Sequence, residues 1–235
     1  MPSLIGTAIW GDRFDAWTTL WLIDHLGERI ADGNWSTVTT EILHPLGYNL
    51  WSFGHMALQL IGGALVAIGV PLVVSYNVLL MAGIWTSALG AHALGLVLTR
   101  SHRAAAVGAV AFATSPYLYA EAGAGCIELV AAGLLPLYTA TLVRLIRQPS
   151  RGRWIQSTAC LALIGPFNWY YTLFAGLITG SMVAWQVIRW ARARSRIASL
   201  RAAGWIVLSA LVAAAANIPL LSLIHISEPT RPRII

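Results

Sequence analysis

Two long stretches, Asn77 to Thr99 and Ala203 to Leu220, contain no acid, lysine or arginine, and they decide most of what this chain can fold into. About twenty apolar residues in a helix cross the hydrocarbon core of a bilayer. Neither stretch has the polar stripe that a soluble amphipathic helix presents to water. Composition agrees: 57% of the residues are hydrophobic and 10% are charged, against about 25% charged in soluble domains. The expected fold is all-α, a polytopic transmembrane helical bundle whose first partner is the lipid bilayer. Residues 1–55 read as an extracytoplasmic loop with an interfacial helix, and 56–220 as the transmembrane region.

The formal charge is +6 and every basic residue other than histidine is arginine, a usage that fits a GC-rich bacterial genome. The arginines gather in three short loops: Arg100 with Arg103, Arg144 to Arg153, and Arg189 to Arg201. Membrane orientation explains that placement and nucleic acid does not, because short loops rich in arginine stay in the cytoplasm. The chain between two cytoplasmic points crosses an even number of times. Ala104 to Val143 is therefore expected as a hairpin with its tip near Tyr119, Glu121 and Gly123. Ile155 to Ile188 forms a second, with its tip at Pro166 to Tyr171, and a last span runs out to Asn217 and Pro219. The localisation that follows is a multi-pass protein of the bacterial plasma membrane.

Met56 to Val74 is apolar, but a crossing there would put the acid-rich residues before it in the cytoplasm. It is expected to be re-entrant or interfacial, loosened by Gly62, Gly63, Gly69 and Pro71. Before it lie Asp12, Asp15, Asp24, Glu28, Asp32 and Glu41 against Arg13 and Arg29. Phe14, Trp17, Leu20, Trp21 and Leu26 recur at helical spacing, which predicts an amphipathic helix lying on the membrane. Asp12 and Asp15 open that helix, where capping and the helix dipole already favour acids. His44-Pro45 followed by Gly47 marks a turn.

Cys126 and Cys160 fall within apolar segments and read as small core residues, without a disulfide or zinc framework. Glu128 lies inside an apolar segment, where an acid is costly enough to require a partner or a function. Asn168 or an arginine is the expected partner, and Cys126 is not. At the far end, residues 221–231, LSLIHISEPTR, read as the translation of a transposon-type sequencing-library adapter, so 221–235 are expected not to be native. Met1 to Ile9, apolar but short, reads as the stub of a preceding span.

The order WGDRFDAWTTLWLIDHL, ILHPLGYNLW, SYNVLLMAGIWTSALGAHALGLVLTR, ATSPYLYAEAGAG and GPFNWYYTLFAG resembles the amino-terminal half of bacterial polytopic glycosyltransferases of the C type, over Trp10 to Ala175. That resemblance implies transfer of a sugar from a polyprenyl-phosphate donor to an extracytoplasmic acceptor. It implies that Asp12 and Asp15, the acids of GDRFD, are catalytic, one acting as general base or the two holding a divalent cation. Arg13 would meet the departing phosphate; His44, Glu121, Trp169, Tyr170 and Tyr171 would line the substrate. The chain departs from that pattern in lacking a first span and a carboxy-terminal soluble domain. The competing expectation is a non-catalytic transporter or lipid flippase, which would show facing ionisable residues at mid-membrane and repeated broken helices. Acids concentrated toward one membrane face favour the enzyme.

Overall fold

The computed structural model describes residues 6–11, 14–53, 55–192 and 196–226. Asp12 and Arg13, and the adapter-like residues 227–235, lie outside them. The described chain is helical apart from a short ribbon. Its helices are α1 (Phe14–Ala31), α2 (Met56–Ala67), α3 (Leu72–Thr99), α4 (His102–Ala113), α5 (Pro116–Ala124), α6 (Ile127–Val130), α7 (Leu134–Arg147), α8 (Arg151–Phe167), α9 (Trp169–Arg192) and α10 (Arg196–Ile226). Four stretches are long and apolar enough to cross a membrane: Leu72–Thr99, Ile127–Arg147, Trp169–Arg192 and Leu200–Ile218.

Helix α1 forms where the spacing puts it. Ala16, Leu20, Ile23 and Leu26 are buried, while Trp17 is 63% exposed. The buried face packs on protein, against α2. Glycines permit this close crossing: a Cβ on Gly27 would meet Val66, and one on Gly63 would meet Leu26. Gly62 and Gly63 therefore do not loosen α2, which is continuous from Met56 to Ala67. The break comes afterwards, at Gly69 with its φ of +93° and at Pro71, the N-cap of α3. Twelve residues span about 18 Å, well short of a bilayer core. The single stretch expected from Met56 to Val74 is therefore divided: α2 ends at Ala67, and α3 starts at Leu72 and takes in Val74.

The all-α expectation needs one amendment. Val38–Thr39 pairs antiparallel with Tyr48–Asn49, forming strands β1 and β2. Arg29 of α1 clamps this ribbon by donating to the Val38 carbonyl (3.2 Å), to Asn34 Oδ1 and to the Ser36 carbonyl. Beside it, His25 meets Glu41 at 3.1 Å and stacks on Trp21.

The first hairpin turns later than expected. Glu121 lies within α5, and the reversal comes at Gly125–Cys126, where Gly125 has a φ of +84° and packs against Ala16. The second reverses at Asn168, inside the expected range. Polar pairs join the helices: Ser87 Oγ donates to the Val130 carbonyl (2.7 Å), Thr158 Oγ1 to Ser209 Oγ (3.0 Å), and Tyr138 meets Thr179. At its arginine-rich end α7 is tied to the end of α3, with Arg147 Nη1 donating to the Val97 carbonyl at 2.6 Å.

Candidate functional site

Where α1 and α2 begin and the two hairpins reverse, a polar cluster assembles. Its foundation is the start of α3. Tyr76 Oη donates to the Trp10 carbonyl (2.8 Å), and Asn77 Nδ2 donates to the Ala8 carbonyl (2.8 Å) while its Oδ1 accepts from the Trp10 amide (3.2 Å). These contacts pin residues 8–10 and so direct the chain into α1. Gly11, at a φ of +108°, passes close to the carbonyl oxygens of Ala122 and Gly123. The first turn of α1 then carries Asp15 to the reversal after α5, where Cys126 Sγ donates to Asp15 Oδ2 at 3.3 Å.

His55 and Glu128 form the second pair. His55 Nε2 stands 3.8 Å from Glu128 Oε1, with the imidazole 27% exposed and the carboxyl side chain 12% exposed. His55 occupies the N-cap position of α2, yet its side chain makes no capping hydrogen bond. The ring is turned to Glu128 instead. Asn168 Nδ2 donates to the main-chain carbonyl of Glu128 (3.3 Å), and Asn168 Oδ1 accepts from the Tyr171 amide (3.1 Å). Tyr171 Oη donates to the Leu129 carbonyl and meets Tyr117 Oη at 3.2 Å. Glu128 Oε2 is buried and has no hydrogen-bond partner among the described residues. A buried, unpaired polar atom costs about 1–3 kcal/mol, so this oxygen is a point where a ligand donor or water would be stabilised.

The electrostatics follow from crowding carboxyl groups into a partly dry site. Burial pulls the His55 pKa below its ordinary value and the charge of Asp15 pushes it back up, so the ring favours its neutral form. The Cys126 thiol is pushed upward by burial first, then by Glu128, the hydrogen bond to Asp15, and Glu121. Cys126 is a protonated donor here, inert as a nucleophile.

The sequence-predicted residues divide accordingly. Asp15, Glu121 and Tyr171 belong to the cluster. Trp169 is half-buried and Tyr170 is 68% exposed, both at the start of α9 beside Tyr171. His44 sits exposed in the turn between β1 and β2, and no hydrogen bond, ion pair or ring contact of the cluster reaches it among the described residues. Asp12 and Arg13 fall outside the described residues. Among the described residues no group of three His, Cys, Asp or Glu assembles, and Asp12, named with Asp15 for a divalent cation, lies outside them. Asn168 does meet Glu128, but at the main chain, and the carboxyl faces His55.

Sequence reading missed His55, and it treated Cys126 as core only. A histidine just before an apolar helical run is not a preferred capping residue, and that is the one signal that could have drawn attention to His55. Compared with protein-family models, curated proteins and solved structures, the chain matches none.

Proposed function

We propose that this chain is a membrane glycosyltransferase-like protein that moves a sugar from a polyprenyl-phosphate donor to an acceptor on the outer face of the bacterial plasma membrane. The observation that carries this reading is the convergence of Asp15, His55, Cys126 and Glu128 where apolar helices begin and reverse. A polyprenyl-phosphate sugar keeps its tail in lipid and its sugar at the interface, so its chemistry needs polar groups at the mouth of an apolar bundle. The acceptor hydroxyl must lose a proton as it attacks the anomeric carbon, and the departing phosphate takes the bonding pair. The resemblance assigns the proton to Asp12 or Asp15.

The test is transfer by the complete protein, reconstituted in nanodiscs with a panel of labelled undecaprenyl-phosphate monosaccharides and envelope-derived acceptors. Wild type should transfer at least one sugar, and Asp15→Asn and Glu128→Gln should each lower kcat by about 10²–10⁴-fold. Absence of transfer from every donor, or full transfer by both variants, would remove the assignment.

A further inference from the structure

We propose that His55 is the proton acceptor of this site, with Glu128 as the positioning residue that holds its ring. The inference rests on reading the cluster as a hydroxyl-activating centre and assigns within it a role that the resemblance gives to an aspartate.

Three observations converge on the imidazole. It sits at the N-cap of α2 without capping that helix, so its conformation is not spent on the helix end. Its Nε2 is directed at Glu128 Oε1, 3.8 Å away, slightly longer than a hydrogen bond. Such catalytic contacts commonly tighten once substrate fills a site. The side chain also remains 27% exposed, so the ring is not sealed within the protein. Asp15, by contrast, already accepts a hydrogen bond from Cys126.

The titratable groups set against the ring are Glu128 on α6, 3.8 Å away, and Asp15 on α1, whose charge acts on it. Tyr76 on α3, Glu121 on α5 and Cys126 in the reversal join the cluster through Glu128 and Asp15. Among the described residues none of these is a fixed cation. The neutral ring is therefore favoured at rest by burial, and the imidazolium formed on proton uptake has carboxyl groups to compensate it. This is the division of labour in which a carboxylate orients an imidazole that moves the proton. In the step itself the acceptor O–H bond breaks and its proton passes to Nδ1. The oxygen pair then forms the bond to the anomeric carbon, and the carbon–oxygen bond to the lipid phosphate breaks with its electrons leaving on the phosphate.

The closing experiment separates this inference from the donor assignment. The complete protein in nanodiscs is treated with diethyl pyrocarbonate from pH 5 to 8, and modification is read peptide by peptide, with exposed His44 as the internal standard. His55 should react with a midpoint below 6.5, and Asp15→Asn should move that midpoint down by about one unit, since a negative charge that favours imidazolium is removed. With any donor that wild type uses, His55→Gln should lower kcat by about 10²–10⁴-fold and flatten the acid limb of the pH profile while KM changes little. Labelling as expected without any sugar turnover keeps the proton acceptor and discards the donor. A ring that stays unreactive while His44 reacts, a midpoint unmoved in Asp15→Asn, or unaltered kcat in His55→Gln would each overturn the proposal.

Discussion

Asp15 and Cys126, 111 residues apart in the chain, meet through a 3.3 Å S–H···O contact between the first turn of α1 and the reversal that follows α5. The contact depends on Gly125, whose positive φ and absent side chain let the backbone run against Ala16. It ties the acidic amino-terminal segment to the bundle and sets Asp15 beside the His55–Glu128 pair.

One consequence concerns reactivity. Burial, Glu128 and the hydrogen bond to Asp15 all raise the Cys126 pKa, and only the thiolate attacks alkylating reagents. In a Cys160→Ala background, native Cys126 should react with iodoacetamide at pH 8 more than about tenfold slower than the denatured chain. Equal rates would show that the thiol is not closed in by these groups.

Stability should respond to pH through His55. Its folded pKa lies below the ordinary 6.5, so the unfolded chain binds the proton first as pH falls. The His55 contribution is complete above pH 6.5 and is lost as pH drops from there through the folded value. Thermal unfolding in detergent between pH 7.5 and 5 should show a steeper acid-side loss of Tm for wild type than for His55→Asn. Identical slopes would mean that the ring titrates alike in both states.

The crossing of α3 with the segment leading into α7 depends on two glycines. A Cβ on Gly90 would fall on the Gly133 carbonyl, and one on Gly133 would fall on the Thr86 carbonyl. Gly90→Ala should destabilise by about 1–3 kcal/mol through overpacking. Gly108→Ala, in helix α4 with nothing within 4 Å, should be neutral or stabilising by about 0.5–1 kcal/mol. Detergent melting of both variants checks the contrast, and equal losses would contradict it.

Orientation can be read from two serines. Ser36 is exposed beside the ribbon and Ser101 caps α4 next to Arg100 and Arg103. In a cysteine-free background, Ser36→Cys should be labelled by a membrane-impermeant maleimide added outside cells, and Ser101→Cys only after permeabilisation. Labelling of both from one side would refute the proposed orientation.

Much of the architecture was legible before any coordinates. Long uncharged runs form apolar helices, and the break after Phe167 falls within the stretch that Pro166 and Asn168 mark, since each rests on local chemistry. Details of face and boundary were not. Trp17 lies in the same spaced apolar pattern as Leu20 and Leu26, yet protein covers only the latter two, because the position of α2 decides which apolar residues are packed. Gly62 and Gly63 look alike as helix-weakening glycines or as contact glycines, and only the neighbour facing them distinguishes the two.

The sequence alone determined a mostly helical, strongly apolar chain with six of its acids before Met56 and most of its arginines after Thr99, because hydropathy and charge are properties of short segments. Tertiary structure alone decided which partner each buried polar group received. His55 with Glu128, Cys126 with Asp15, and Asn168 with the Glu128 main chain are separated by 40 residues or more in the chain. No local pattern encodes such pairs, since they arise only when packing closes the ends of several helices onto one another.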